Sequence, residues 1–125
     1  MSELYCCGCN EKIIPILIFG DEAYPHRKDL YNLKFWICEQ CLNFVGCHKH
    51  GDGNVALGCI PTKEIKKLRS EIHSIIDPIW KGGKLKRGQI YKIMSDKMGF
   101  KYHTASLKTV KECHDALIYA RELQQ

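Results

Sequence analysis

Two cysteine pairs of identical spacing, Cys6-x-x-Cys9 and Cys38-x-x-Cys41, stand out from the rest of the chain. Two intervening residues let a tight turn aim both sulfurs at one point. Two such turns supply four thiolates, the ligand set of a closed tetrahedral zinc site with Zn–S bonds of about 2.3 Å. The same ligands also suit a rubredoxin-like iron centre. With four thiolates bound, no coordination position is left for water, so the expected ion (one structural Zn2+) stabilises a fold and hydrolyses nothing. The pairs are 28 residues apart, against about 15–20 in the common pattern, and an insertion at residues 21–32 accounts for the excess. Cys7, inside the first knuckle, reads as an exposed bystander.

The remaining thiols and imidazoles are less ordered in spacing. Cys47, His50, Cys59 and His73 contain the right atom types for a second zinc site, but their spacing matches no knuckle. The simpler reading makes Cys47 a small buried residue at a turn and leaves His50 solvated. Cys47 and His48 are adjacent, and adjacent residues on a strand point to opposite faces, which argues against a nucleophile–base pair. No phosphate-cradling glycine motif and no His-Glu-x-x-His occurs. The chain is therefore read as a non-enzyme. Cys113 falls on an apolar helical stripe, where a core role is expected.

These ligands need elements to carry them. The span Ile13 to Phe19 is β-branched and reads as a strand, with Pro15 placing it at an edge or bulge. Residues 33–37 and 42–45 read as two further strands, and 46–61 as an irregular glycine-rich connector. A first helix opens at Pro61-Thr62, with Thr62 as cap, and carries Ile65, Leu68, Ile72, Ile75 and Ile76 on one face. Asp77-Pro78 is expected to stop it. A second helix over 87–98 ends at Gly99 in a left-handed cap. A third spans 107–123, capped by Ser106. The fold class is thus α+β, a small zinc-ribbon sheet followed by about three short helices. We expect a ribbon lobe at 1–61 and a helical lobe at 62–125, packed as one unit.

Charge divides at the same point. The chain carries 19 Lys/Arg and 14 Asp/Glu, a net of +5. Residues 1–61 hold 5 basic and 7 acidic side chains, a net of −2, and residues 62–125 hold 14 and 7, a net of +7. A polyanion would touch the second half. The candidate nucleic-acid contacts are Lys63, Lys67, Lys81, Lys84, Lys86, Arg87 and Lys92, with Lys66 and Arg69 extending the basic face of the first helix. Tyr91, Phe100 and Tyr102 are interleaved aromatics that could stack on bases, Tyr91 being the best fit to the core. Whether the nucleic acid is DNA or RNA is open. The competing expectation is a protein partner held by the acidic lobe or its loop from Tyr24 to Tyr31. The longest apolar run, Ile13 to Phe19, is too short to cross a bilayer. The start of the chain lacks the pattern of a secretion signal. A cytoplasmic protein with reduced, metal-binding cysteines is expected.

From Cys6 onward the chain resembles a family of small zinc-finger-containing proteins of bacteria and their phages, classed as a domain of unknown function. The marks are Cys6-x-x-Cys9, Trp36-x-Cys38-x-x-Cys41 and the run Val45 to His48. Leu57-Gly58 follows, then His73 four residues before Asp77-Pro78-Ile79-Trp80, and a late Cys113. The resemblance implies a zinc finger followed by helices, of phage or mobile-element type, with no assigned activity. It also implies that Cys47, His48, His73 and Trp80 form a shared feature; the simpler reading of the residues makes Trp80 a core plug where the first helix ends, with His73 hydrogen-bonded beside it. Lys108 stands where the family pattern has an acidic cap, which bears on where the third helix starts.

Overall fold

The computed structural model describes residues 3–49 and 51–124. It is α+β, with two antiparallel sheets of five short strands in the first half and three longer helices in the second. The chain divides into two compact units, residues 1–63 and 64–125.

In the first unit each cysteine knuckle is the turn of a hairpin. Strand β1 (Leu4–Cys6) pairs with β2 (Glu11–Ile13), and the first knuckle joins them. Strand β3 (Ile16–Phe19) pairs with β4 (Lys34–Ile37), and β4 pairs with β5 (Phe44–Gly46) across the second knuckle. The expected single strand from Ile13 to Phe19 is broken. Pro15 has no N–H to give a ladder, and here it is buried between β2 and β3, which belong to different sheets. Strand β3 is then an edge strand, as a proline-flanked segment should be. The strand expected at 42–45 begins later, because Leu42 takes a left-handed conformation (φ 64°) that no strand can include.

The insertion between β3 and β4 is compact. Helix α1 (Gly20–Ala23) is one turn long, and residues 28–30 form a 3-10 turn. Gly20 lets the two ends close: a Cβ there would lie 1.7 Å from the Leu30 carbonyl oxygen, and the Gly20 N–H donates to the Leu33 carbonyl at 2.9 Å. The connector is also more regular than expected. Residues 46–48 pair with 55–57 through Leu57 N–H to Gly46 O (2.9 Å) and His48 N–H to Val55 O (2.8 Å). The connector then returns to β1, where Ile60 and Tyr5, and Cys7 and Ile60, exchange backbone bonds of 2.8 Å.

In the helical half, α2 (Lys63–Lys81) runs straight through Asp77-Pro78. The sequence expectation of a stop there is corrected by the next residues. Gly83 is left-handed (φ 79°), Lys84 N–H reaches back to Ile79 O, and Gly83 N–H to Trp80 O. That is a Schellman ending, and it satisfies the last carbonyls where Pro78 alone could not. Helix α3 (Arg87–Met98) ends at Gly99 as expected, with φ 84° and its N–H on Ser95 O. Helix α4 (Val110–Leu123) starts three residues later than expected, and Ser106 lies in a 3-10 turn (Thr104–Ser106). The cap is Thr109. Its hydroxyl accepts from Glu112 N–H (3.1 Å), and the Glu112 carboxylate accepts from the N–H groups of Lys108 (2.8 Å) and Thr109 (3.2 Å). This reciprocal box outweighs anything Ser106 could offer.

The buried face of α2 carries Ile65, Leu68, Ile72, Ile76 and Ile79, that of α3 Ile90 and Met94, and that of α4 Cys113, Ala116, Leu117 and Ala120. Arg69 is also buried. Its guanidinium donates to the Leu107 carbonyl at 2.6 Å, so it pins the segment before α4 and is not part of a surface basic face. No helix among the described residues is long and apolar enough to cross a membrane. Thr109→Ala should cost about 1 kcal/mol of stability in urea unfolding, while Ser106→Ala should change it by less than about 0.5 kcal/mol. Equal effects would contradict the assigned cap.

Candidate metal centre

The two knuckles have the same local construction. In each, the residue after the second cysteine is left-handed, Asn10 at φ 58° and Leu42 at φ 64°. In each, that residue's N–H returns to the carbonyl of the first cysteine at 2.8 Å, Asn10 to Cys6 and Leu42 to Cys38. This winding turns the backbone N–H groups inward. Those of Cys9 and Gly8 point at the Cys6 sulfur, and those of Cys41 and Gln40 at the Cys38 sulfur. Such donors stabilise a thiolate over a thiol.

The knuckles face each other. Cys6 and Cys41 sulfurs are 3.3 Å apart, Cys9 and Cys38 sulfurs 3.6 Å, and all four lie within 4.8 Å of one another. A tetrahedron with metal–sulfur bonds of about 2.3 Å has sulfur–sulfur edges of about 3.8 Å, so the donor set fits a tetrahedral ion closely. Asn43 Nδ2 donates to the Cys41 sulfur at 3.3 Å. Gly8 admits this approach, since a Cβ there would lie 2.8 Å from Asn43 Nδ2 and 3.2 Å from the Cys41 sulfur.

Charge explains why the cluster needs a cation. Burial opposes ionisation of Cys38, yet the N–H groups of Cys41 and Gln40 and the neighbouring thiols outweigh it and bring the group down to about 7. Cys9, hydrogen-bonded to Cys38 and partly desolvated, is pushed up to about 12. Burial, aided by Cys41 and Cys38, also raises Cys6. One thiolate therefore suppresses the ionisation of its neighbours, and only a bound dication reverses that. The four sulfurs that would hold zinc are also part of the core. Cys6 and Cys38 are buried with Val45 and Ile60, and Leu4, Ile13, Trp36 and Ala56 pack around them. A lobe of about 60 residues is marginal on apolar burial alone, and a bound ion adds folding energy to it.

The other chemistry-bearing residues are arranged as follows. Cys7 is buried, not an exposed bystander, and its sulfur lies 3.8 Å from that of Cys59, because the Cys7–Ile60 backbone bond turns both side chains inward. Cys59 therefore does not join Cys47 in a second site. Among the described residues, Cys6, Cys9, Cys38 and Cys41 form the one such group of three or more potential ligands, and His50 lies outside those residues. Cys47 is half-buried, and its thiol is raised mainly by burial, which makes it a slow nucleophile rather than an activated one. Cys47 and His48 belong to the first unit, His73 and Trp80 to the second. The latter two are joined through Asp77, whose carboxylate accepts from Trp80 Nε1 (3.1 Å) and lies 3.5 Å from His73 Nδ1. Trp80 is half-buried rather than a core plug.

The basic candidates are all exposed, but they do not form one cluster. Arg87 lies over the Trp80 ring (5.7 Å) and the Tyr91 ring (5.4 Å), and Lys81 lies over Trp80 (5.6 Å). Lys84 and Lys86 are in the adjoining turn. Lys63 and Lys67 are at the far end of α2, Lys67 about 21 Å from Lys81 along the axis, and Lys92 is about 140° around α3 from Arg87. Tyr102 is buried, its hydroxyl 2.7 Å from Thr104 Oγ1, and is unavailable for stacking. The Trp80–Arg87–Tyr91 stack is invisible in the sequence, because it depends on the helix passing through Pro78.

A family model described as a zinc-finger-containing domain matches residues 2–122, almost the entire chain. No curated protein and no solved structure gives a match.

Removing the metal should unfold the ribbon lobe, since metal binding supplies folding energy there. Chelation should collapse the amide dispersion of residues 4–60, and retention of those signals in metal-free protein would contradict the assignment. Protons compete for the sulfurs, and Cys9 and Cys6 hold theirs well above neutrality, so zinc affinity should fall steadily as pH drops and more steeply below about 7, where Cys38 also regains its proton. A competitive chelator titrated at several pH values measures this. Leu42 is 66% exposed and left-handed. Leu42→Asn should therefore stabilise the zinc-loaded protein by about 1 kcal/mol in urea unfolding.

Proposed function

The chain belongs to this family of zinc-finger-containing domains, and from that premise we propose that it binds nucleic acid through its basic helical half, with the zinc ribbon as scaffold. The observation that carries the proposal is the Trp80–Arg87–Tyr91 stack with Lys81 beside it. A guanidinium resting over two rings is partly ordered beforehand, so less side-chain freedom is lost when its planar fork meets a phosphate. Arg87 uses one donor on Tyr91 Oη at 3.3 Å. Lys81, Lys84 and Lys86 place three more cations within a few residues, enough for a salt-sensitive phosphate track. Exposed Phe100 adds a ring that can stack on an unpaired base. The role is binding rather than catalysis, and a cytoplasmic, phage- or mobile-element setting belongs to the same reading. Lys63, Lys67 and Lys92 would be secondary contacts along a longer strand.

A second reading has its own support. Ile14, Ile16 and Phe19 are exposed on and beside the edge strand β3, which suits an adaptor that grips a host protein through the ribbon lobe. Salt separates the two. Phosphate contacts weaken with a slope of about −0.9 per phosphate in log K against log salt on duplex, whereas an apolar interface persists. The zinc-loaded protein, titrated against labelled single- and double-stranded DNA and RNA, should show such a slope. Joint replacement of Lys84, Lys86 and Arg87 by Ala should lower affinity about tenfold or more and flatten the slope by about two to three. No binding at low salt would overturn the proposal.

A further inference from the structure

The first unit contains a cleft of about 550 Å³, in the range of about 300–1,000 Å³ usual for small-molecule sites. It is built by the 21–32 insertion and the 46–61 connector, with strand β4 as a third part. Gly20 closes the 21–32 insertion over the sheet and brings Tyr24, Arg27 and Leu30 to one wall. The pairing of 46–48 with 55–57 brings Leu57 and Lys49 to another. Phe35 from β4 lies between them.

One wall is aromatic, formed by Tyr24 and Phe35 and backed by Phe44. Tyr24, Phe35 and Phe44 pack edge to face at centroid distances of 5.3–5.5 Å. Lys34 is fixed, with Nζ 2.8 Å from Asn54 Oδ1 and 3.2 Å from Asp52 O, and Trp36 Nε1 holds the Asn54 carbonyl at 2.8 Å. Preformed walls lower the ordering cost of a ligand. The charge of the lining is opposite to that of its lobe. Arg27, Lys34 and Lys49 face one acid, Asp52, while residues 1–61 carry a net of −2. Arg27 is paired with Asp29 at 2.8 Å, which leaves Lys34 and exposed Lys49 as the cations a ligand would meet.

We propose that this cleft binds a nucleoside 5′-phosphate, its flat base against the Tyr24 and Phe35 wall and its phosphate towards Lys34 and Lys49. Apolar and aromatic walls with a cationic mouth suit a planar ring that carries an anion. The same chemistry is offered by a free mononucleotide and by the 5′-phosphorylated end of a strand. The site is separate from the basic surface around Arg87 and does not rest on that surface's binding nucleic acid.

Cys47 provides the probe. It lines the cleft and is half-buried, whereas Cys7, Cys59 and Cys113 are buried and the other four cysteines are the metal ligands. In zinc-loaded protein, iodoacetamide should alkylate Cys47 first, and adenosine or cytidine 5′-monophosphate should slow that reaction saturably. Amide shifts under the same titration should centre on residues 24, 34–35, 46–49 and 57. Lys49→Glu should weaken protection about tenfold. Leu57→Trp, which fills the cleft from a partly exposed position, should abolish it, and thermal unfolding checks that both variants remain folded. Joint replacement of Lys84, Lys86 and Arg87 by Ala should leave protection unchanged. A 5′-phosphorylated oligonucleotide that protects at lower concentration than the mononucleotide identifies a strand end as the ligand. Protection by the mononucleotide alone identifies the free nucleotide. Equal protection by unphosphorylated adenosine, no saturable protection, or loss only in the Lys84/Lys86/Arg87 variant would each overturn the proposal.

Discussion

Everything in the first half of this protein depends on holding four sulfurs within 4.8 Å of one another. Four thiolates at that distance would repel strongly, and the thiols are already driven apart: N–H groups of Cys41 and Gln40 bring Cys38 down to about 7 against its burial, while the hydrogen bond to Cys38 and partial desolvation push Cys9 up to about 12. A divalent ion removes the conflict, and the backbone prepares for it by pointing N–H groups of Gly8, Cys9, Gln40 and Cys41 at the sulfurs. The N–H groups and sulfurs that would hold the ion are continuous with the buried cluster of Cys6, Cys38, Val45 and Ile60. With a core this small, the ion's binding energy becomes a large share of the ribbon's folding energy.

The constraint propagates outward through backbone geometry. Each knuckle requires one left-handed residue, and each closes a hairpin, so the strands on either side inherit their register from the metal site. The connector 46–61 is bound twice, to β5 through Leu57 and to β1 through Ile60. Those anchors draw Cys59 inward against Cys7 and bring Lys49 and Leu57 to the wall of the cleft. Gly20 does the same for the insertion. The metal thus stabilises the ribbon and, indirectly, shapes a surface some distance from it in sequence.

The helical half follows a different principle. Its stability comes from apolar stripes, from capping boxes and Schellman turns, and from cross-links such as Arg69 to Leu107 and Lys97 to Glu122 between α3 and α4. Termination of α2 by Gly83 rather than at Pro78 places Trp80 and Lys81 on its last turn, one loop away from Arg87. The cation–π stack that results is a consequence of how a helix ends. Its exposure distinguishes it from the buried Tyr102, which shares the same composition signal.

The sequence by itself determined the metal ligands, the α+β class and the apolar stripe of each long helix. Those features are local: a knuckle is four residues, and helical periodicity repeats within two turns. The box Thr109-x-x-Glu112 is equally local, and it competes with Ser106, which stands just before the apolar stripe; the reciprocal hydrogen bonds of the box decide the start of α4. The tertiary structure alone decided the rest. The break at Pro15 required knowing that two sheets lie on either side of it. The burial of Cys7 required the return of Ile60 to β1, a contact across more than fifty residues. Arg69, an ordinary surface residue by type, became internal because a carbonyl from a distant segment needed a donor. The Trp80–Arg87–Tyr91 stack and the cleft beside Phe35 arise where separate segments meet, and no spacing rule encodes such meetings. Residue types and short spacings carry the chemistry of bonds made within one turn, whereas surfaces assembled from remote segments exist only once the chain has closed on itself.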